Sequence, residues 1–331
     1  MSFKKNPVFQ RLLSKLTKAP EGNKFAIAVS GGTDSVAMLF LIREWCRIKH
    51  KQICVFHVDH SMRESSSSDA DWVRDICSEN GIDFYSRKAS KEDLSNNREL
   101  GSEGWARNFR YSSFASMLKE SGADVIVTGH NSDDQAETII MRMMRGCSWR
   151  GIHGIKSQIT LNFSETKLKM WRPILYISRK ELSTFLKSIN QTWREDETNQ
   201  TDLYLRNKIR HKLMPLLESI YKGSVEHIVA LGSDAAQLQK ALHARAINYL
   251  KKYYNSEKNQ IMVAKKPETS LRREIIRIWL EKNGLENSIN RSLIERIDDL
   301  WLVKNNGRAV KQANFEVLRH KKNLWLRVWA I

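Results

Sequence analysis

Short apolar runs alternate with longer amphipathic stretches along the first two thirds of the chain. Ile27-Ala28-Val29 and the segments 53–58, 82–86 and 124–128 have the length and composition of strands, the last apolar enough to be buried on both faces. Apolar residues recur at helical spacing in between: Val36, Leu39 and Phe40, then over about 69–79 and 99–119, and through Ile139, Ile140, Met143 and Met144. Strands that alternate with helices predict an α/β fold on a parallel sheet. Residues 65–68 are predicted as a flexible loop, 2–18 as a basic amphipathic first helix, and 178–189 as a further helix. In 205–216, Leu205, Ile209, Leu213 and Leu216 share an apolar face, and Pro215 should end or bend the helix. The domain boundary is placed there. Residues 1–216 form the α/β domain, and 217–331 a smaller, mainly helical one with helices near 224–254, 271–283 and 288–303. Alternation from 307 to 328 predicts a closing hairpin.

Composition narrows the partners. A hydrophobic content of 41%, with 10 Trp and 11 Phe, supports a real core and excludes disorder. The net charge is +18 and the pI about 9.8, which points to a polyanion such as nucleic acid. Residues 217–331 carry 21 Lys and Arg against 12 Asp and Glu, half of that excess. There Arg308, Lys311, Arg319, His320, Lys321 and Lys322 are interleaved with Phe315, Trp325 and Trp329, as on nucleic-acid-facing surfaces. Cys46, Cys54, Cys77 and Cys147 form no Cys-x-x-Cys pair, so free thiols in a reducing cytoplasm are expected. No apolar run is long enough to span a bilayer, and no membrane partner is expected.

The chemistry concentrates after the strands. Ser30-Gly31-Gly32-Thr33-Asp34-Ser35 follows an apolar strand and opens a helix, which aims backbone N–H groups at one spot suited to phosphate. Asp34 can hold Mg²⁺ against phosphate oxygens. Without the Walker A lysine, the loop instead resembles the PP-loop of the ATP pyrophosphatases, which implies ATP cleavage and AMP transfer. His57, Asp59 and His60 cluster where the second strand ends, with Arg63 beyond. After His130, Asp133, Asp134 and Glu137 gather three carboxylates on one helix start, an arrangement that repels itself unless a cation sits there. Arg142, Arg145 and Arg150 surround glycines in a stretch suited to backbone phosphates, and Arg206, Asn207 and Arg210 line a second helix face.

These strings, with Ala106-Arg107, Arg110-Tyr111, Arg172-Pro173, Asp196 and Asn199, together resemble the tRNA(Ile)-lysidine synthetases, densely over 24–216 and loosely beyond. The resemblance implies an enzyme that attaches free L-lysine to the wobble cytidine of a tRNA(Ile) with a CAU anticodon, using ATP and Mg²⁺. It implies nucleotide contacts at Ser30, Gly31, Gly32, Thr33, Asp34, Ser35, His57 and Asp59, and metal contacts at Asp34, Asp133 and Asp134. Catalytic roles fall to Asp34, Arg110, His130, Asp134 and Glu137. Arg110 would pair with the lysine carboxylate, and Glu137 with its ammonium or the metal. Arg145, Arg206, Asn207 and Arg210 would hold tRNA. The chain is shorter than the longer family members, as if without their last C-terminal domain. A PP-loop tRNA thiolase, a small-molecule amidotransferase and a non-catalytic tRNA-binding module are the alternatives. The thiolase would need paired cysteines or a cluster. Oligomeric state stays open, a homodimer included.

Overall fold

β-branched and aromatic runs bounded by Gly and Asn form strands because they pack well on a pleated surface buried on both faces. The computed structural model describes residues 5–16, 19–61, 66–90, 92–93, 101–147, 149–194, 205–263, 267–303 and 307–329. The chain divides into two units: Met1–Arg145 with Gly154–Ala230, and Gly146–His153 with Leu231–Ile331.

In the first unit, α1 (Pro7–Lys15) starts at Asn6, whose side chain accepts from the N–H groups of Val8 and Phe9, with Pro7 in the first turn. It leads to β1 (Lys24–Ala28), α2 (Thr33–Ile48), β2 (Gln52–Asp59), α3 (Ser66–Glu79), β3 (Asp83–Lys88), α4 (Gly101–Ser121), β4 (Val125–Val127) and α5 (Ser132–Met144). A hairpin of β5 (Gln158–Phe163) and β6 (Thr166–Trp171) follows, then α6 (Arg179–Ser188). The sheet order is β3-β2-β1-β4-β6-β5, parallel except for the β5–β6 pair. Alternate residues serve opposite cores. Phe25, Ile27, Val55, Val125 and Val127 join Phe9, Leu12 and α2 on one side. Ala26, Cys54, Phe56 and Ile126 meet Phe114, Met117 and Leu118 of α4 on the other. β1 has β2 on one flank and β4 on the other, so the order reverses there, which is where open α/β sheets open a crevice.

Three expectations change. Residues 66–68 belong to α3 rather than to a loop. The β5–β6 hairpin was not anticipated. The segment from 205 is not one regular helix: α7 (Leu205–Lys208) runs into a π turn (Ile209–Leu213) and then α8 (Met214–Ile220). The wider turn shifts the helical register, so Leu217 packs with Ile209, Leu213 and Met214, while Leu216 is exposed; Leu205, before the turn, is exposed as well. Pro215 comes just after the π turn and bends the helix without ending it. Arg63, Asp196 and Asn199 lie outside the described residues.

α9 (Ser224–Tyr253) carries the chain into the second unit. There β7 (Tyr254–Asn255), β8 (Gln260–Met262), α10 (Thr269–Lys282), α11 (Arg291–Leu302), β9 (Ala309–Lys311), β10 (Phe315–His320) and β11 (Asn323–Val328) build an antiparallel sheet of order β7-β8-β11-β10-β9. The predicted closing hairpin is β10–β11, inside a larger sheet. Trp279, Trp301 and Phe315 are core, with Val317, Leu324 and Leu326. Phe315 is therefore a packing residue rather than a surface for bases, whereas Trp329 is exposed. The buried pair Arg272–Asp298 (2.6 Å) joins α10 to α11.

Among the described residues no helix is long and apolar enough to cross a membrane. Burial raises the thiols of Cys46, Cys54 and Cys77 to about 12, 11 and 12, whereas Cys147 is half-buried. A thiol reagent at pH 8 is expected to label Cys147 quickly in the folded protein and the other three only on unfolding. Peptide mass spectrometry checks this, and early labelling of Cys46, Cys54 or Cys77 would contradict it.

Candidate functional site

The loop after β1 is shaped by its own hydroxyls. Ser35 Oγ donates to the Gly32 carbonyl (2.9 Å), accepts the Ser30 N–H (3.1 Å) and meets Ser30 Oγ (3.2 Å). Gly31 adopts φ +97°, open to glycine, and its carbonyl accepts the Arg194 N–H (3.0 Å). Among the described residues no side chain caps α2 at Gly32, which leaves the first N–H groups of that helix open to a ligand. Gly129, after β4, presses on this loop: a Cβ there would lie 3.3 Å from Ser35 N and Cα. The loops after β1 and β4 therefore meet at the switch point.

Asp34 faces this junction. Arg179 Nη2 contacts its carboxylate at 3.0 Å, and the Arg179 backbone N–H donates to Asp133 (2.9 Å), so one residue ties both acids together. Burial raises the Asp34 pKa, and Arg179 offsets that only in part. Asp34 is thus an undercompensated carboxylate, a fit for an added cation. The fully buried Asn131 side chain lies beside Asp34 and also acts to lower its pKa.

The acids of α5 find their cations within the chain. Arg206 Nε donates to Glu137 (2.8 Å) and its Nη2 to Asp134 (2.9 Å). Arg210 Nε donates to Glu137 (2.6 Å), and its Nη2 to Asp134 (3.0 Å) and Glu137 (3.1 Å). The second Asp134 oxygen accepts the Asn131 N–H, closing a capping box. Burial would raise the Asp134 pKa, but Arg206, His130 and Arg210 hold it low. Among the described residues no three His, Cys, Asp or Glu side chains are grouped to hold a metal.

Burial also lowers His130 to about 4, helped by Arg172, Arg206 and Arg110 and opposed by Asp134, so its ring is neutral near pH 7. Its Nδ1 meets Thr128 Oγ1 at 3.1 Å. Arg110, on α4, is exposed and makes no ion pair among the described residues.

Comparison with known proteins settles the family. A curated tRNA(Ile)-lysidine synthase of Chlorobaculum tepidum is 30% identical over 90% of this chain and 89% of its own length. The chain belongs to the tRNA(Ile)-lysidine synthase family. The PP-loop domain family matches residues 5–217. The Prochlorococcus marinus lysidine synthase is 30% identical over 95% of this chain and 91% of its own. The Enterococcus faecalis lysidine synthase is 35% identical over 63% of this chain, which spans 43% of that longer protein. Among solved structures, the U34-tRNA thiolase of Methanococcus maripaludis shares the fold, with a TM-score of 0.57 and 18% identity over 70% of this chain and 78% of its own.

The lysidine synthase residues named from sequence fall into distinct settings. Asp34, Asp133, Asp134 and His130 converge. His57 is buried and donates from Nδ1 to the Val29 carbonyl (2.8 Å), bracing the strand just before the PP-loop. Asp59 accepts the Ser61 N–H (2.7 Å), while its other oxygen, buried and with no hydrogen bond among the described residues, lies 3.8 Å from Lys88 Nζ. Arg206 and Arg210, expected to face tRNA, turn inward to the acids. Glu137, expected to hold an ammonium or metal, is occupied by both guanidiniums. Of the phosphate-seeking arginines, Arg142 donates to the Gly154 carbonyl (2.7 Å) and Arg150 pairs with Glu274, whereas Arg145 is exposed. Asn207 is half-buried in α7. Arg179 was missed. Its signal was weak, since one arginine after a Ser N-cap reads as an ordinary helix start.

Proposed function

We propose that the protein ligates L-lysine to C2 of the wobble cytidine in tRNA(Ile) with a CAU anticodon, giving lysidine, AMP and pyrophosphate. The observation that carries this reading is the convergence at the β1–β4 switch point of the helix start at Gly32, the undercompensated Asp34 and the neutral His130. Relatives named lysidine synthase that match nearly end to end support it.

The first N–H groups of α2 would cradle the ATP phosphates. Asp34 would hold Mg²⁺, which when bound neutralises phosphate charge; Asp134, with both oxygens filled, would instead position Arg206 and Arg210. The cytidine C2 oxygen attacks the α-phosphate and pyrophosphate leaves. The lysine ε-amine then attacks C2 and AMP leaves. Arg110 would take the lysine carboxylate in a bidentate pair. His130, neutral near pH 7, would accept a proton from the attacking amine or a hydrogen bond from it. Arg145 and the basic second unit would meet the tRNA.

The test is incubation of the protein with ATP, labelled lysine and unmodified CAU-anticodon tRNA(Ile). Label on the tRNA with matching AMP is expected. Unlabelled tRNA, or AMP release without tRNA, would sink the reading.

A further inference from the structure

Within the second unit, a cavity of about 560 Å³ opens between α10, the start of α11 and the segment leading into the turn at Arg150. Its size is that of a small-ligand site. Arg273, Glu274 and Arg277 project from one face of α10, Arg291 and Glu295 come from the first turns of α11, and Arg150 enters from the opposite wall. Four guanidiniums thus face two carboxylates, beside the positive end of a helix.

The acids are already committed. Glu274, 1% exposed, takes Arg150 and also His243 at 3.0 Å. Glu295 takes Arg291 at 3.0 Å and Arg273 at 3.4 Å, and Arg273 also meets Asp298 at 3.2 Å. Arg277 has no ion pair or hydrogen bond among the described residues, although it is half-buried. Only Glu281, one turn on, offsets its charge from a distance. Burial lowers the pKa of Arg277, and burial together with the neighbouring Arg277 lowers Arg150 to about 10. Two cations crowded in a half-dry cavity, one of them in no ion pair among the described residues, form the inverse of a carboxylate cluster awaiting a metal.

We infer that this cavity binds a phosphate group, with Arg277 as its direct donor and Arg150 and Arg291 alongside. Guanidinium forks match phosphate oxygens, and the cavity walls strengthen the pairing by excluding water. That the phosphate is an RNA phosphodiester rests on the function proposed above; that an anion binds does not.

Cys147 lines the same cavity and reports on it locally, apart from any activity. At constant ionic strength, pyrophosphate or a short single-stranded RNA should slow Cys147 alkylation several-fold in the wild type. Arg277→Ala should lose that protection, and Arg277→Lys should keep part of it. Protection by RNA, with weaker tRNA binding and a salt slope about one unit shallower in Arg277→Ala, would assign the site to the RNA backbone. Protection by pyrophosphate alone, with tRNA affinity unchanged in the variant, would assign it to a free phosphate. Equal alkylation with and without both anions, or equal protection in Arg277→Ala, would overturn the inference. Failure of lysine ligation in the assay above would leave these arms readable, because none of them depends on turnover.

Discussion

Glu137→Ala should destabilise the first unit by about 3 kcal/mol, the usual cost of breaking a buried ion pair from one side. Glu137 is 1% exposed, and its removal leaves Arg206 and Arg210 with Asp134 alone. Arg210 is the better enclosed of the two and contributes most of the loss. Urea unfolding measures it. The control is Glu137→Leu with Arg206→Met and Arg210→Met, which removes all three charges and should recover much of the stability. Lysine ligation should stay lost in that control, because the arginines also orient Asp134 beside His130. A Glu137→Ala protein within about 1 kcal/mol of the wild type would show that the network contributes as little as a surface pair.

Gly129→Ala should lower ATP-dependent pyrophosphate release about 100-fold, a typical cost of displacing a reacting group by a fraction of an ångström to an ångström. The new Cβ would meet the backbone of Asp34 and Ser35 at 3.3–3.4 Å, and backbone yields less easily than a side chain. Stability should fall by only about 1–3 kcal/mol, as for other overpacked sites. Gly122→Ala is the comparison. Nothing lies within 4 Å of its Cβ, so it should bear only the strain of φ +65° and leave turnover unchanged. Gly129→Ala turning over at the wild-type rate would remove the β4 loop from the ATP site.

Local pattern carried much of the fold. Four of the five parallel strands, β1 to β4, fall on runs visible in the sequence, and the PP-loop is a contiguous string with a positive-φ glycine where the chain turns. The β5–β6 hairpin was legible too, since Ile159, Leu161 and Phe163, then Leu168 and Met170, alternate with polar residues at the period of a half-exposed strand pair. The partners of the acids were not. Asp134 and Glu137 are separated by about 70 residues from Arg206 and Arg210, and no periodicity links one helix face to another across such a gap. The arginines were visible as a polar face and the acids as a cluster short of a cation. That each answered the other emerges only when α5 packs against the π turn through Ala136, Ile140, Ile209 and Met214.

The π turn at Ile209–Leu213 holds one residue more than an α-helix would. Straightening the turn into a regular α-helix with every residue kept would rotate all of α8 by about 100°, the step of one residue around a helix. Met214 and Leu217 would swing away from Ile140, and Leu216 toward it. In descendants of this chain, loss of one residue within 209–213 should therefore be accepted far more readily than loss of one from the regular helix on either side.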